Sequence, residues 1–209
     1  MKVLLINGSP HKEGTTYTAL AEAARTLESE GIDTEIIQVG QLKSTGCHAC
    51  YACSKTGRCV IGDEVNEVAD KFREADGIII GSPVYYAAPN GTLLGFLDRL
   101  FCSTSFDKRD KVGAAVVCAR RGGCTASFDV LNKYFSISGM PIATSTYWNQ
   151  VHGASGEDAL LDLEGMLCMR SLARNMAFLM KSIALGREKY GMPEKEQPIK
   201  TNFIKRGRF

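Results

Sequence analysis

This chain of 209 residues contains no run approaching the roughly 18 apolar residues that a membrane-spanning helix requires. It also lacks an excess of either charge. Its 25 lysines and arginines against 23 aspartates and glutamates leave a formal net charge of +2, too small to mark a nucleic-acid partner. Histidine is scarce. His11, His48 and His152 form no His-x-x-x-His pair, and no Ser–His–Asp or paired-carboxylate pattern stands out. No catalytic residue is therefore assigned, and His152 reads as structural. Internal repeats, low-complexity tracts and an interdomain linker are missing too, and 44% hydrophobic with 23% charged residues fits one globular domain. A secretory leader is not expected: "MKVLLINGSP" has one lysine and a four-residue apolar run, and reads as a first buried strand. The expectation is a cytoplasmic protein, where disulfides are rare and clustered cysteines more often hold metal or carry out redox chemistry.

What is present is an alternation of short apolar runs with amphipathic ones. Strands are expected at Val3–Ile6, Thr34–Val39, Gly77–Gly81, Val112–Ala119 and Met140–Trp148. Helices are expected at Thr15–Glu30, Glu64–Ala75, Thr92–Phe101, Thr125–Ser136 and, as one long element, Glu157–Leu185. Five β–α repeats without hairpin signals predict an α/β fold, a doubly wound parallel sheet with helices on both faces. The domain is expected to span 1–185, followed by a solvated basic tail at 186–209 that carries Arg187, Lys189, Lys195, Lys200, Lys205, Arg206 and Arg208. One segment breaks the rhythm: Gly40 to Gly62 puts about twenty residues between the second strand and its helix, where 2–6 is usual.

The first strand runs directly into "NGSPHKEGTT" and then a helix. A glycine- and hydroxyl-rich turn in that position suits a phosphate, because backbone N–H groups and the helix N-terminus face the anion. The loop is neither a Walker loop nor a G-x-G-x-x-G turn, and donors without the Walker lysine suit a monophosphate. Ser9, His11, Thr15 and Thr16 are the candidate side-chain contacts. The alternative is a plain helix N-cap at Thr15 or Thr16 that binds nothing.

Ligands of open parallel sheets sit beyond the carboxyl ends of the strands. The loop after the third strand, "SPVYYAAPNG", offers Tyr85 or Tyr86 as a face for a planar ring, and "ARRGGC" after the fourth allows close backbone approach. Taken with "TYWNQVHG" and "EGMLCMRSLARNMAFL", these loops resemble the NAD(P)H-dependent FMN reductases of the flavodoxin-like group. With the cysteine segment included, the chain resembles the iron–sulfur flavoproteins of anaerobes. The resemblance implies a five-stranded sheet of order 2-1-3-4-5 and an FMN phosphate at Ser9–Thr16, Gly14 included. It implies a flavin ring over Pro83, Val84, Tyr85 and Tyr86, with Asn90, Ala119, Arg120 and Gly122 nearby. It also implies a homodimer or homotetramer with flavins near subunit interfaces. Gly14-Thr15-Thr16 stands where many relatives have Gly-Asn-Thr, a change that keeps the hydroxyls.

Inside the long loop the spacing is Cys47-x2-Cys50-x2-Cys53-x5-Cys59. Two consecutive C-x-x-C steps let three thiolates converge, and Gly57 lets the chain bring Cys59 back as a fourth, the number a [4Fe–4S] cube requires. A four-thiolate zinc site, or thiols and disulfides without metal, are the alternatives. Cys102, Cys118, Cys124 and Cys168 are scattered and read mostly as core residues. The function expected is an FMN-dependent oxidoreductase taking electrons from NAD(P)H or a ferredoxin-type donor. A cluster-free FMN or quinone reductase, a pure electron carrier and a flavin-binding regulatory protein are its rivals.

Overall fold

A computed structural model describes residues 1–197 and 199, so Lys200, Lys205, Arg206 and Arg208 of the expected tail lie outside the described residues. The period-two pattern of the strands decides the layering. In β1 (Lys2–Asn7), Val3 and Leu5 enter one core while Leu4 and Ile6 enter the other. β3 (Gly77–Tyr85) and β5 (Val112–Ala119) divide in the same way, Ile79 against Ile78 and Ile80, and Val116 against Val117. Strands buried on both faces need helices on both sides. One layer holds α1 (Thr15–Ser29), α6 (Gly156–Leu161) and α7 (Leu163–Tyr190); the other holds α3 (Glu64–Glu74), α4 (Gly91–Ser103) and α5 (Cys124–Ile137). With β2 (Asp33–Gln38) and β6 (Gln150–His152), the parallel strands run β2-β1-β3-β5-β6, the expected flavodoxin-like order. Among the described residues no helix is long and apolar enough to cross a membrane.

Three expectations are corrected. The fifth strand does not fill Met140–Trp148. Ile142 makes only an isolated bridge to Gly113, and the sheet resumes at Gln150–His152. Between them Ser145 closes a turn on Tyr147, pushing Tyr147 and Trp148 outward, while the Asn149 amide donates to the Ala115 carbonyl at 3.0 Å. A hairpin is present after all: the two-residue β4 (Ala88–Pro89) pairs antiparallel with the end of β3, through a turn in which Tyr86 (φ 51°) and Ala87 (φ 59°) both have positive φ. Finally, the last helix is two helices. Asp162 ends α6 and caps α7, its carboxylate accepting from the Gly165 N–H at 2.9 Å and from the His152 N–H at 2.7 Å.

Candidate functional site

The register places the ends of the three central strands side by side, Asn7 opposite Gly81 and Gly81 opposite Val116. The loops leaving them enclose a cleft of about 860 Å³. Its floor is the turn after β1. The Asn7 side chain accepts from the Ser9 N–H at 3.1 Å, the Ser9 hydroxyl accepts from the His11 N–H at 3.1 Å, and the Gln38 amide donates to the Ser9 carbonyl at 2.5 Å. Gly40 backs this turn so closely that a Cβ there would fall 2.2 Å from the Ser9 carbonyl group.

The turn opens into α1, whose N-cap is Gly14. No side chain caps the helix and no acidic residue lies in its first turn. Neither threonine is thus the N-cap that the plain-helix alternative requires. The Thr15 hydroxyl instead donates to the carbonyls of Gly153 (3.2 Å) and Ser155 (3.0 Å), tying down the loop after β6. The first-turn N–H groups are left without a side-chain acceptor where Gly14, Thr15 and Thr16 line the cleft, and a helix start of this kind suits an anion. Lys12 and Arg120 add positive charge to the lining, against one carboxylate, Glu13. The Cys118 thiol at the base is pushed up to about 12 by burial, so it brings no negative charge.

Of the residues singled out in the sequence, Ser9, His11, Gly14, Thr15, Thr16, Pro83, Val84, Tyr85, Ala119 and Arg120 line this cleft together. Tyr86 and Gly122 lie on the exposed rim beyond the lining. Asn90 is buried behind it, its amide donating to the Gly8 carbonyl and its oxygen accepting from the Thr92 N–H. Gln41 and the Gly153–Gly156 loop also line the cleft and were not anticipated. The only advance sign of the latter was its place after the last strand.

Cys47, Cys50, Cys53 and Cys59 all line a second cavity of about 320 Å³ that shares no lining residue with the first. The chain curls around Cys50 with positive φ at Ala49 (51°) and Tyr51 (56°), a conformation that non-glycine residues adopt at a cost and that concentrates at functional sites. The short helix α2 (Cys53–Thr56) ends at Gly57 with φ 69°, which turns the chain back toward Cys59. Asn66 of α3 fixes Cys59 from both sides, accepting from its N–H and donating to its carbonyl at 3.0 Å each.

The opposite wall is α4, and there two residues went unanticipated. Cys102 is not a core residue; its sulfur lies 3.9 Å from that of Cys53, and burial beside Cys53 and Cys47 pushes its thiol up to about 11. Arg99 is buried, and its guanidinium forms a two-pronged ion pair with Asp63, both contacts 2.6 Å. That pair holds the Asp63 carboxyl below its usual range and raises the arginine. Among the described residues no three His, Cys, Asp or Glu side chains stand close enough to grip a single ion. The donor set itself, the four motif thiols with Cys102 as a fifth on one cavity, has the chemistry of a thiolate-ligated centre.

A parallel sheet whose carboxyl-end loops meet at an anion-ready helix terminus and an aromatic turn defines a flavodoxin-like protein. Solved structures agree on the fold. An archaeal flavodoxin superposes with a TM-score of 0.55 at 16% identity, covering 88% of this chain and 99% of that one. RosB with bound 8-demethyl-8-formylriboflavin-5'-phosphate gives 0.67 at 17% identity, covering 100% and 96%. Residues 1–154 match the family described as NADPH-dependent FMN reductase, and the chain belongs to that family. It is a flavin-dependent oxidoreductase. It is also similar to the iron–sulfur flavoproteins. One from Methanocaldococcus jannaschii is 35% identical over 191 residues, 88% of this chain and 99% of the relative. One from Methanosarcina thermophila is 28% identical over 193 residues, 90% and 100%.

Proposed function

We propose that the cleft binds FMN with its phosphate at the first turn of α1 and its ring against Pro83–Tyr85, and that the second cavity holds a [4Fe–4S] cluster on Cys47, Cys50, Cys53 and Cys59. The observation that carries the first half is the uncapped, acid-free start of α1 opening into a cleft whose far wall is the tyrosine turn. The phosphate is taken by the backbone N–H groups of the first turn, with Ser9, His11, Gly14 and Thr16 around it. Thr15 adds its N–H while its hydroxyl keeps the Gly153–Gly156 wall in place. Tyr86, at the exposed tip of the hairpin, covers the outer edge of the ring. Val84, Ala119, Arg120 and Gly122 bound the ring's polar edge, and Asn90 holds the two loops in register from behind. The cleft volume lies within the 300–1,000 Å³ usual for cofactor sites.

For the second half, all four motif cysteines open on one cavity, and a loop too long for an ordinary connection is anchored by α3 and α4 around it. FMN held in the cleft would supply both two-electron and one-electron chemistry, and a cluster held by the four cysteines would supply one-electron transfer. The chain then serves as an oxidoreductase that draws on NAD(P)H or a ferredoxin-type donor and works as a homodimer or homotetramer.

Anaerobic purification followed by a visible spectrum with iron, sulfide and zinc analysis tests this. Flavin bands over a broad brown absorbance, with about four irons per chain, are expected. A yellow protein with no iron leaves the FMN half standing and removes the cluster. Zinc in place of iron does the same. Mixing with NADPH or with reduced ferredoxin then separates the two donors by which of them bleaches the flavin.

A further inference from the structure

Arg99 is the most unusual charged residue of the chain: its side chain is 1% exposed, in a helix otherwise buried by Leu93, Phe96, Leu97 and Leu100. A buried guanidinium must place five N–H donors. Here every one is directed at the cysteine loop or its exit. Nη1 reaches Ser44 Oγ (2.8 Å), the Thr45 carbonyl (3.4 Å) and Asp63 (2.6 Å). Nη2 reaches Asp63 (2.6 Å) and the Ile61 carbonyl (3.5 Å). The remaining donor, Nε–H, points at Cys59 Sγ across 3.3 Å. The long loop thus has its organiser in a helix outside it. Asp63 balances the positive charge, so what reaches the sulfur is chiefly an oriented N–H dipole rather than a free cation.

We infer that Arg99 is a positioning residue of the cysteine site, which holds Cys59 through an Nε–H···Sγ bond and thereby sets the reduction potential of the iron–sulfur centre higher than its thiolates alone would. The inference rests on the cluster reading above. A hydrogen bond donated to a ligand sulfur strengthens as negative charge accumulates there, so it favours the reduced state; hydrogen bonds to sulfur and outer partners of this kind are among the recognised controls on such potentials. Removing the bond lowers the potential.

The test uses the anaerobically purified full-length protein and two substitutions. Arg99→Lys keeps a positive charge for Asp63 but lacks the planar fork that brings Nε to Cys59. Asp63→Glu keeps the arginine and its balancing charge but, one methylene longer, shifts the fork's aim. Iron per chain is measured first in the unaltered protein; absence of iron there overturns the cluster reading and this inference with it. With iron present, the midpoint potential is read by a dye-mediated titration followed by electron paramagnetic resonance. Because a potential does not depend on occupancy, partly loaded variants still report it. A fall for Arg99→Lys that favours the oxidised state at least about tenfold, about 59 mV for one electron, with a smaller fall for Asp63→Glu, is the expected result. Unchanged or raised potentials overturn the inference while leaving the cluster reading intact. So does an Arg99→Lys protein that folds, by circular dichroism, yet takes up no iron on reconstitution, since Arg99 would then build the site rather than tune it.

Discussion

The side-chain amide of Asn90 donates to the carbonyl oxygen of Gly8 across 2.7 Å, joining two loops 82 residues apart. Gly8 in turn donates its N–H to Gly81 at 2.9 Å, so the floor and far wall of the cleft form one hydrogen-bonded unit. Asn90→Asp keeps the oxygen that caps Thr92 but turns a carboxylate toward the Gly8 carbonyl. The expected outcome is a loss of about 1–3 kcal/mol in a urea melt, the cost of a buried polar pair without its hydrogen bond. FMN affinity should fall with it. An unchanged melt would mean that the two loops are held independently.

On the proposed reading, the start of α1 takes the phosphate through N–H groups and the helix dipole. Thr15→Asp puts a carboxylate in a first turn that has no acidic residue. FMN should then bind at least about tenfold more weakly, since like charges a few ångströms apart near a surface repel by a few kcal/mol. Riboflavin, which lacks the phosphate, should lose far less. Thr15→Val, which removes the hydroxyl bonds to Gly153 and Ser155 without adding charge, separates the tether from the electrostatics. Fluorescence titration with both flavins reads all three proteins.

Tyr86 and Ala87 occupy the left-handed region at the tip of the hairpin, where glycine or asparagine is the usual choice. Ala87→Gly should raise stability by about 1 kcal/mol through relief of that strain. Tyr86→Ala leaves the strain in place and removes the exposed ring. It should leave the melt nearly unchanged and weaken flavin binding, a separation that equilibrium unfolding and flavin titration together can read.

Lys108 is buried, with its ammonium donating to the Thr104 carbonyl at 2.6 Å and sitting over the Phe106 ring at 4.5 Å. Burial brings its pKa down to about 8 from 10.5, and Lys111 and Arg73 nearby push it the same way against the pull of Asp107. Between about pH 8 and 10.5 the folded chain has released a proton that the unfolded chain still holds, so this group makes stability rise with pH across that window. Cys118 and Tyr134, whose pKa values are raised by burial, act in the opposite sense at the alkaline end. The difference between the unaltered protein and Lys108→Met therefore isolates the effect. Denaturant midpoints at pH 7 and 9 (about a unit either side of that pKa) should show the advantage of Lys108→Met shrinking as pH rises; a constant difference contradicts the assignment.

The first four parallel strands were legible because each carries its own instruction: alternating apolar residues that serve two cores, as Leu4 and Leu5 do. The fifth was not, because the apolar run at 140–148 leaves the sheet at the Ser145 turn before Gln150–His152 resumes it. The cleft was legible for a related reason, since loops that follow strands of a parallel sheet must gather at one edge, and Ser9, Thr16, Tyr85 and Arg120 sit in or at the ends of such loops. The hairpin was hidden because Tyr86-Ala87 carries none of the residues that ordinarily mark a turn of that type. The break at Asp162 was hidden because a single aspartate serves as cap to two helices, with no proline at the break and its glycine, Gly165, inside the second helix rather than between the two. Arg99 and Cys102 were hidden for a different reason. Nothing local in "FLDRLFCS" tells a buried arginine from a solvated one; its partners Ser44 and Asp63 lie 55 and 36 residues away, and only the packed fold brings them together.

The central claim is that the turn between β1 and α1, with the Pro83–Tyr86 wall, is an FMN site. It is tested most directly by adding FMN to flavin-stripped protein and following the quenching of flavin fluorescence, in the unaltered chain and in Thr15→Asp. Saturation at about one FMN per chain, lost or strongly weakened in Thr15→Asp, is the expected result. A chain that stays colourless in excess FMN, or binds it equally well with the carboxylate in place, would contradict it.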